Sequence, residues 1–214
     1  GGFSTSLFVK EKYGNDPFVF KVKENNKFFS WIFHLTGKNI ESLWHNKFHY
    51  LLSNDIEYFD NKTLLNSKEF KSLGPEPLEK GFTFKKFKET IKNKKGKVKQ
   101  VLMDQNVIAG IGNIYSSEAL WQAKIHPEKN VAKLSDSELK LLYQAIEKVL
   151  TLGVKLGGES FSDYRKPDGS KGKFDTERKA YKREGQKCHR CGVKIKRIKF
   201  GGRSAFFCPN CQKL

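Results

Sequence analysis

The stretch that decides the fold is Asp104–Lys129, DQNVIAGIGNIYSSEALWQAKIHPEK. At its centre, Gly110 and Gly112 lie directly before an apolar-periodic run, and glycine permits close backbone approach and positive φ. Asn113 has a side chain suited to capping the helix that follows. This helix should turn four apolar side chains inward: Ile114, Ala119, Leu120 and Ala123.

The segment before this turn, Lys97–Gln105, also has helical periodicity, with Val98, Val101 and Leu102 on one face. The unit is therefore predicted to be helix, glycine turn, helix. Free backbone N–H groups at a turn and a helix N-terminus form a natural seat for phosphate. The pattern alone is equally compatible with ordinary helix packing.

The charge of the chain indicates a polyanionic partner. Its 214 residues include 41 Lys+Arg against 23 Asp+Glu, a formal net charge of +18. Such a field is expected of a nucleic-acid binder, and a generic basic protein of the ribosomal kind is the alternative. The sequence has neither a run of 18 apolar residues nor a signal-peptide pattern. We therefore expect a soluble cytoplasmic protein, nucleoid-associated if bacterial, with no membrane partner, and we take a monomer as the default.

The cysteines indicate a metal site rather than disulfides. Four cysteines form two Cys-x-x-Cys pairs with the spacing C-x2-C-x16-C-x2-C: Cys188, Cys191, Cys208 and Cys211. Four thiolates in two close pairs suit one structural, tetrahedral Zn²⁺. Between the pairs, Val193–Phe200 and Arg203–Cys208 should form a β-hairpin that turns at Gly201-Gly202.

The first third of the chain is predicted to be β-rich. Alternating or apolar runs are separated by Asn-Asn and Asn-Asp turns, which predicts two hairpins. Their strands are Pro17–Lys23 with Phe28–Leu35, and Phe48–Leu52 with Ile56–Phe59.

Helices are predicted for much of the middle of the chain. The two prolines of Leu73–Leu78 make a rigid connector, and residues 83–99 are expected to be helical. Eight lysines between Lys85 and Lys99 belong partly to a solvated face and partly, we expect, to a DNA-facing surface. A second helix, Ser135–Gly153, should begin with a Ser135/Glu138 capping box. Its buried stripe would be Leu139, Leu142, Tyr143, Ile146, Val149 and Leu150.

Two segments resemble one family of DNA-repair enzymes. Residues 102–129 resemble the helix–two-turn–helix (H2TH) motif of the formamidopyrimidine-DNA glycosylase / endonuclease VIII family. Residues 188–212, CHRCGVKIKRIKFGGRSAFFCPNCQ, resemble its zinc finger. The resemblance is strong over residues 73–214 and weak before them.

The resemblance implies an α+β fold with a β-rich N-terminal domain, in part a β-sandwich, a helical H2TH domain and a C-terminal zinc-finger hairpin. The expected boundaries are 1–73 for the β-rich domain, 74–80 for a linker, 81–158 for the H2TH domain, 159–185 for a lid loop and connecting strand, and 186–214 for the zinc finger.

The same resemblance implies a function and a set of DNA contacts. The family consists of DNA glycosylases with abasic-site lyase activity, so the expected partner is double-stranded DNA with oxidised bases or abasic sites. The arginine of the phrase GRSxxFCPxCQ contacts phosphate beside the lesion in the family, which points to Arg203. Asn113, Lys97 and Tyr181 are the other implied DNA contacts, and apart from the resemblance Tyr181 is most simply a packing tyrosine.

The N-terminal part departs from the family pattern. Family enzymes begin with Pro-Glu and use the proline amine as nucleophile, whereas this chain begins Gly1-Gly-Phe-Ser. The methionine expected after His34-Leu35 and the wedge residues expected after Asp60 are also absent. We therefore assign no catalytic residue and expect the catalytic N-terminus to be missing. A non-catalytic damaged-DNA-binding paralogue and a basic zinc-ribbon RNA-binding protein stay open as alternatives.

Overall fold

A computed structural model describes residues 66, 68–158 and 172–214, together with the backbone of three strands before them. Helices and strands are both present, which confirms the predicted mixed α and β architecture. The chain divides into two compact units, one of them Ser4–Leu73 and the other containing Gly74–Leu214.

The described strands of the first unit form one antiparallel sheet. Strands β1 (Phe18–Glu24) and β2 (Lys27–Phe33) pair from Phe18↔Phe33 to Glu24↔Lys27, which confirms the first predicted hairpin. Strand β3 (Ile56–Phe59) pairs with the other edge of β1. Its predicted hairpin partner, residues 48–52, lies outside the described residues.

The helices and the last two strands follow in chain order. They are α1 (Lys68–Lys71), α2 (Phe84–Ile91), α3 (Val98–Met103), α4 (Asn113–Ala123), α5 (Asp136–Lys155), β4 (Lys196–Phe200) and β5 (Arg203–Phe207). Short 3₁₀ helices occupy Val131–Lys133 and Phe174–Glu177.

The predicted continuous helix over residues 83–99 is wrong. Helix α2 is capped by Thr83, whose Oγ1 accepts a hydrogen bond from the Lys86 N–H at 3.3 Å, and it ends at Ile91. Gly96 then adopts φ +98°, and Lys97 is extended at the start of α3. A left-handed glycine interrupts the helix and turns the chain between two separate helices.

Helices α4 and α5 pack together in the core of the second unit. Helix α5 begins with the predicted Ser135/Glu138 capping box, in which both reciprocal hydrogen bonds are present. The predicted stripe is buried, except that Tyr143 is half-buried, packs against the core and donates a 2.8 Å hydrogen bond to the Phe82 carbonyl.

The connector after Leu73 packs directly on the glycine turn. The Gly74 N–H donates to the Gln105 carbonyl at 2.8 Å, and the Ala109 N–H donates to the Pro75 carbonyl at 3.2 Å. A Cβ at Gly74 would lie 2.3 Å from the Val107 carbonyl oxygen, which no side chain can tolerate. Only glycine permits this backbone approach, so the connector helps to set the shape of the turn.

The segment before the zinc finger is irregular. Phe174–Glu177 is a 3₁₀ helix where a connecting strand was predicted, and residues 159–171 lie outside the described residues. Phe174 is buried against Tyr115, with ring centres 4.9 Å apart. Apolar packing onto α4 therefore holds this segment. None of the helices in the described part of the chain is long and apolar enough to cross a bilayer.

Candidate nucleic-acid interface and metal centre

The glycine turn is held together from inside by one side chain, that of Gln105. Its Oε1 accepts from the Gly110 N–H at 2.8 Å, while its Nε2 donates to the carbonyls of Met103 and Ile111 at 3.1 and 3.0 Å. Gly110 has φ +80°, where a side chain would be strained. These bonds link the end of α3 to the start of α4.

Asn113 is the first residue of α4 and not its N-cap, so the predicted cap is wrong by one position. The cap is Gly112, which is extended at φ −99° and has no side chain to bond the helix terminus. The Asn113 amide is thereby released from capping. Its Oδ1 is buried without a hydrogen-bond partner, and its backbone carbonyl is an acceptor for three side chains.

One of these three side chains is a completely buried lysine. Lys99 has no exposed surface, and its Nζ donates to the Asn113 carbonyl, Ser116 Oγ and Ser117 Oγ at 3.0, 2.7 and 2.8 Å. Burial and, to a lesser extent, the nearby Arg203 lower the pKa of Lys99 to about 7, while Glu118 acts in the opposite direction. Lys99 had been counted among the lysines of a solvated or DNA-facing surface, and the structure corrects this.

Lys97 lies at the start of α3, against the tip of the zinc hairpin. Its Nζ pairs with Glu128 Oε1 at 2.6 Å and lies 5.4 Å from the centre of the Phe200 ring. Roughly half of the Lys97 side chain is exposed, so the pair is solvated and a phosphate can compete for the ammonium.

Arg203 begins β5, directly after the turn at Gly201-Gly202, where both glycines have positive φ. The predicted hairpin is confirmed, with β4 and β5 paired from Lys196↔Phe207 to Phe200↔Arg203. Arg203 is exposed, and its Nη1 lies 3.9 Å from the Met103 sulfur at the end of α3. The hairpin tip therefore lies along α3, between Lys97 at one end and Met103 at the other.

The structure thus brings three of the four predicted DNA contacts to one helix. Lys97 starts α3, Arg203 touches its last residue, and Asn113 is joined to it through Lys99. We call this surface, consisting of Lys97, Asn113 and Arg203, the α3 face.

Tyr181, the fourth predicted contact, packs within the zinc-finger unit. Its ring meets Phe206 edge-on at 5.2 Å, and its N–H donates to Glu118 Oε1 at 2.7 Å. Phe206 and Arg203 lie on opposite faces of β5, because side chains alternate along a strand. The ring of Tyr181 is thus committed to packing away from the α3 face.

Glu118 ties the segment before the zinc finger to α4. Its buried carboxylate accepts three consecutive backbone N–H groups, those of Lys179, Ala180 and Tyr181, at 2.7–3.0 Å. Burial raises the pKa of Glu118, although the three donors act against the shift.

The four cysteines converge as their spacing predicts. Their sulfur atoms all lie within 4.8 Å of one another, and the 3.4 Å separation of the Cys191 and Cys208 sulfurs is far too long for a disulfide. A tetrahedral zinc with Zn–S bonds of about 2.3 Å holds its sulfurs about 3.8 Å apart. The set therefore fits one structural Zn²⁺, and the predicted zinc site is confirmed.

Local donors prepare these sulfurs for a cation. The Val193 N–H and the Asn210 side chain lower the pKa of Cys191 to about 6, whereas burial and the neighbouring thiols raise the pKa of Cys211 to about 12. Four sulfurs this close cannot all ionise without a metal. The indole Nε1 of Trp121 is buried without an oxygen acceptor and faces Cys188, so it is a donor available to a metal-bound thiolate.

Both halves of the zinc finger hold the C-terminal end of α4. From the first, Arg190 donates to the carbonyls of Trp121 and Gln122 at 2.5 and 2.9 Å. From the second, Gln212 donates to the Ile125 carbonyl at 2.8 Å and accepts from the Cys208 N–H at the same distance. The metal site thus positions the helix whose other end carries the glycine turn.

Sequence reasoning missed Lys99, Glu118, Arg190 and Gln212. Each is charged or polar in a stretch where exposure is the normal expectation. Only Lys99 offered a sign of burial. It lies beside Val98 and three residues before Leu102, in a short helix that has little exposed surface.

The formamidopyrimidine-DNA glycosylase H2TH domain matches residues 73–165, and the zinc finger found in formamidopyrimidine-DNA glycosylase and isoleucyl-tRNA synthetase matches residues 185–214. The chain is 36% identical over 220 residues to the formamidopyrimidine-DNA glycosylase of Prochlorococcus marinus (strain MIT 9301), covering 93% of this chain and 75% of that protein.

Two solved structures are similar to this chain at TM-scores of 0.67 and 0.66. One is MutM in complex with DNA that contains carbocyclic 8-oxo-G, at 40% identity. The other is the Lactococcus lactis formamidopyrimidine-DNA glycosylase bound non-covalently to DNA with an abasic site, at 39% identity. Each match covers 75% of this chain and 58% of the other.

This chain spans little more than half the length of the first curated relatives. Seven formamidopyrimidine-DNA glycosylases align over 51% to 62% of their own length. Together, the H2TH domain, the zinc finger and the extended Prochlorococcus match lead to one conclusion: the chain belongs to the formamidopyrimidine-DNA glycosylase family.

Proposed function

We propose that this chain binds double-stranded DNA containing oxidised bases or abasic sites, and that it acts in base-excision repair as a DNA glycosylase with abasic-site lyase activity. The observation that carries the binding part is the α3 face, where two cations and an uncapped helix N-terminus meet around one short helix.

The α3 face has the chemistry that binding a phosphate backbone requires. Arg203 offers a planar fork for bidentate phosphate binding, and Lys97 offers a compact charge. The N-terminus of α4 adds backbone N–H groups and the positive end of a helix dipole. Asn113 lies at this terminus with its amide free of the cap.

The nature of the DNA comes from the relatives. The solved structures similar to this chain hold DNA with an 8-oxo-G analogue in one case and an abasic site in the other. Identities of 39–40% over 75% of this chain support the same class of DNA for it.

DNA binding is tested with the whole zinc-loaded chain and a duplex containing a stable abasic analogue. Removing Arg203 (Arg203→Ala) should weaken binding about ten- to a hundredfold, because a charged hydrogen-bonding group is lost. Lys97→Met should reduce the slope of log affinity against log salt by about 1. Lys140, exposed on α5, supplies the matched control: Lys140→Met should leave both values unchanged.

Because the ring of Tyr181 is packed, its hydroxyl group is the part that can contact DNA. If it binds phosphate, Tyr181→Phe should weaken DNA binding about fivefold with no change in melting temperature, as expected for one lost hydrogen bond. Equal affinity would leave Tyr181 as a packing residue only.

The chemical step is tested by borohydride trapping on abasic-site DNA. This sequence shows no Pro-Glu start of the kind the family uses for catalysis, and residues 1–17 lie outside the described residues, so this part of the proposal rests on family membership alone. A covalent adduct supports the glycosylase and lyase activity. DNA binding without an adduct would identify a non-catalytic damaged-DNA-binding protein. Tighter binding to structured RNA than to abasic-site DNA would overturn the proposal.

A further inference from the structure

The surroundings of Lys99 need an explanation, because burying a lysine destabilises the fold unless its charge makes compensating interactions. All three hydrogen-bond positions of Nζ point at acceptors within 3.0 Å: the Asn113 carbonyl and the hydroxyl oxygens of Ser116 and Ser117. Both hydroxyls already donate to the Asn113 carbonyl, so their lone pairs face the lysine. Three acceptors match an ammonium group, which has three donors, and not a neutral amine.

We propose that Lys99 is a positioning residue for the phosphate-binding turn, which holds the first turn of α4 through its ammonium form and takes up a proton when a DNA phosphate occupies the α3 face. This inference rests on the DNA binding proposed above.

The charges around Lys99 oppose that ammonium form in the free protein. Arg203 acts from β5 and Glu118 acts from α4 with the opposite sign. The Lys99 N–H donates to the Pro127 carbonyl, so the loop after α4 also packs here. The titratable groups of this loop are Lys124, His126, Glu128 and Lys129. Glu128 is already paired with Lys97. With burial added, the pKa of Lys99 falls to about 7.

A bound phosphate shifts the protonation equilibrium of Lys99 towards the ammonium form. Its negative charge neutralises Arg203, which is one cause of the lowered pKa, and it lies at the helix terminus whose positive end disfavours a nearby cation. The pKa of Lys99 should therefore rise on binding. Since the complex then holds more protons than the free protein, affinity should fall as the pH rises above 7, by up to about tenfold per pH unit.

The direct test is calorimetry of DNA binding in buffers that differ in ionisation enthalpy, which counts the protons taken up. With a free pKa of about 7 and Lys99 fully protonated in the complex, wild type should take up about 0.1 proton at pH 6, about 0.5 at pH 7 and about 0.9 at pH 8. Lys99→Met should bind more weakly and lose this uptake. Lys140→Met, which removes an exposed lysine from α5, should keep it.

Lys99→Arg keeps a cation that does not titrate in this range. It should bind DNA without the proton uptake, and it serves in place of Lys99→Met should that variant not fold. A positioning role also predicts that the amide signals of Asn113 and Ser117 shift with pH in the free wild type, with a midpoint near 7, and do not shift in Lys99→Arg.

The outcomes separate this inference from the proposed function. Wild-type binding with no proton uptake at pH 8, or equal uptake in Lys99→Arg, would overturn the role of Lys99 and leave DNA binding intact. A wild-type chain that binds no DNA at any pH would overturn the proposed function and this inference with it.

Discussion

The guanidinium of Arg190 lies 3.8 Å from the centre of the Trp121 indole and donates a hydrogen bond to the carbonyl of the same residue. This contact joins the first Cys-x-x-Cys turn to the last turn of α4, where the Trp121 carbonyl also accepts from the Lys124 N–H at 3.1 Å instead of from the i+4 donor of a continuing helix. It explains how a small metal site with little core of its own can position a helix.

Arg190→Ala should lower the free energy of unfolding by about 1–3 kcal/mol, because it removes a stacked cation and a donor to helix carbonyls. Zinc content should stay at one per chain, since Arg190 is not a ligand. Denaturant unfolding together with metal analysis checks this. Loss of zinc in the variant would instead show that Arg190 is needed to form the metal site.

Removing zinc should unfold the β4–β5 hairpin and release Arg203 from the α3 face, because these residues have too small a core to hold themselves. Chelation should therefore abolish the affinity for abasic-site DNA, and added zinc should restore it.

Tryptophan fluorescence offers a second measure of zinc loss, because Trp121 is buried against the cysteines. The fluorescence should change on chelation, and this change should be absent in Trp121→Phe. Full DNA binding by a chain shown to be metal-free would contradict this coupling.

The buried Lys99 should make stability depend on pH. An unfolded lysine keeps its proton up to about pH 10.5, whereas Lys99 in the folded chain loses it near 7. Between these values the unfolded chain holds more protons, so the free energy of unfolding should rise with pH, and below 7 the fold bears the full cost of the buried charge. Urea unfolding between pH 6.5 and 9.5 should show this rise for wild type relative to Lys99→Met; parallel curves would contradict it.

Glu128→Gln should strengthen DNA binding about two- to fivefold. The change frees the ammonium of Lys97 from its 2.6 Å pair and removes a negative charge beside the α3 face. The gain should shrink at high salt, where exposed charges are screened. Salt-dependent binding curves for the variant and wild type measure this, and unchanged affinity at low salt would exclude Lys97 from the phosphate contacts.

The parts of the fold that sequence predicted well depend on short-range rules. The Ser135/Glu138 capping box, the Gly201-Gly202 hairpin and the stripe of α5 are all decided within a few residues of chain. The errors arose where packing between distant parts of the chain decides the local structure. The lysines within residues 92–97 favour helix by propensity, but Gly96 disfavours it and turns the chain so that α3 can pack against α4.

Some features of the candidate site could likewise be predicted from the sequence, whereas others depend on packing. Arg203, Asn113 and Lys97 could be named from motifs, but their meeting on one helix follows from packing between α3, α4 and the zinc hairpin. Tyr181 was named as a DNA contact from the resemblance, and in the structure its ring packs on Phe206 while its N–H donates to Glu118. A carboxylate 63 residues away in the chain leaves no local sign of that contact.

The sequence by itself determined the zinc site, because thiolates in two close pairs need only a short turn to converge on a metal. It also determined the family, since both motifs lie in continuous stretches. Only the tertiary structure decided the burial and the protonation state of Lys99. Its three acceptors lie 14 to 18 residues away, and only the packing of α3 against the start of α4 removes water from its ammonium. Burial and neighbouring charge set a pKa, and neither can be read from residue type.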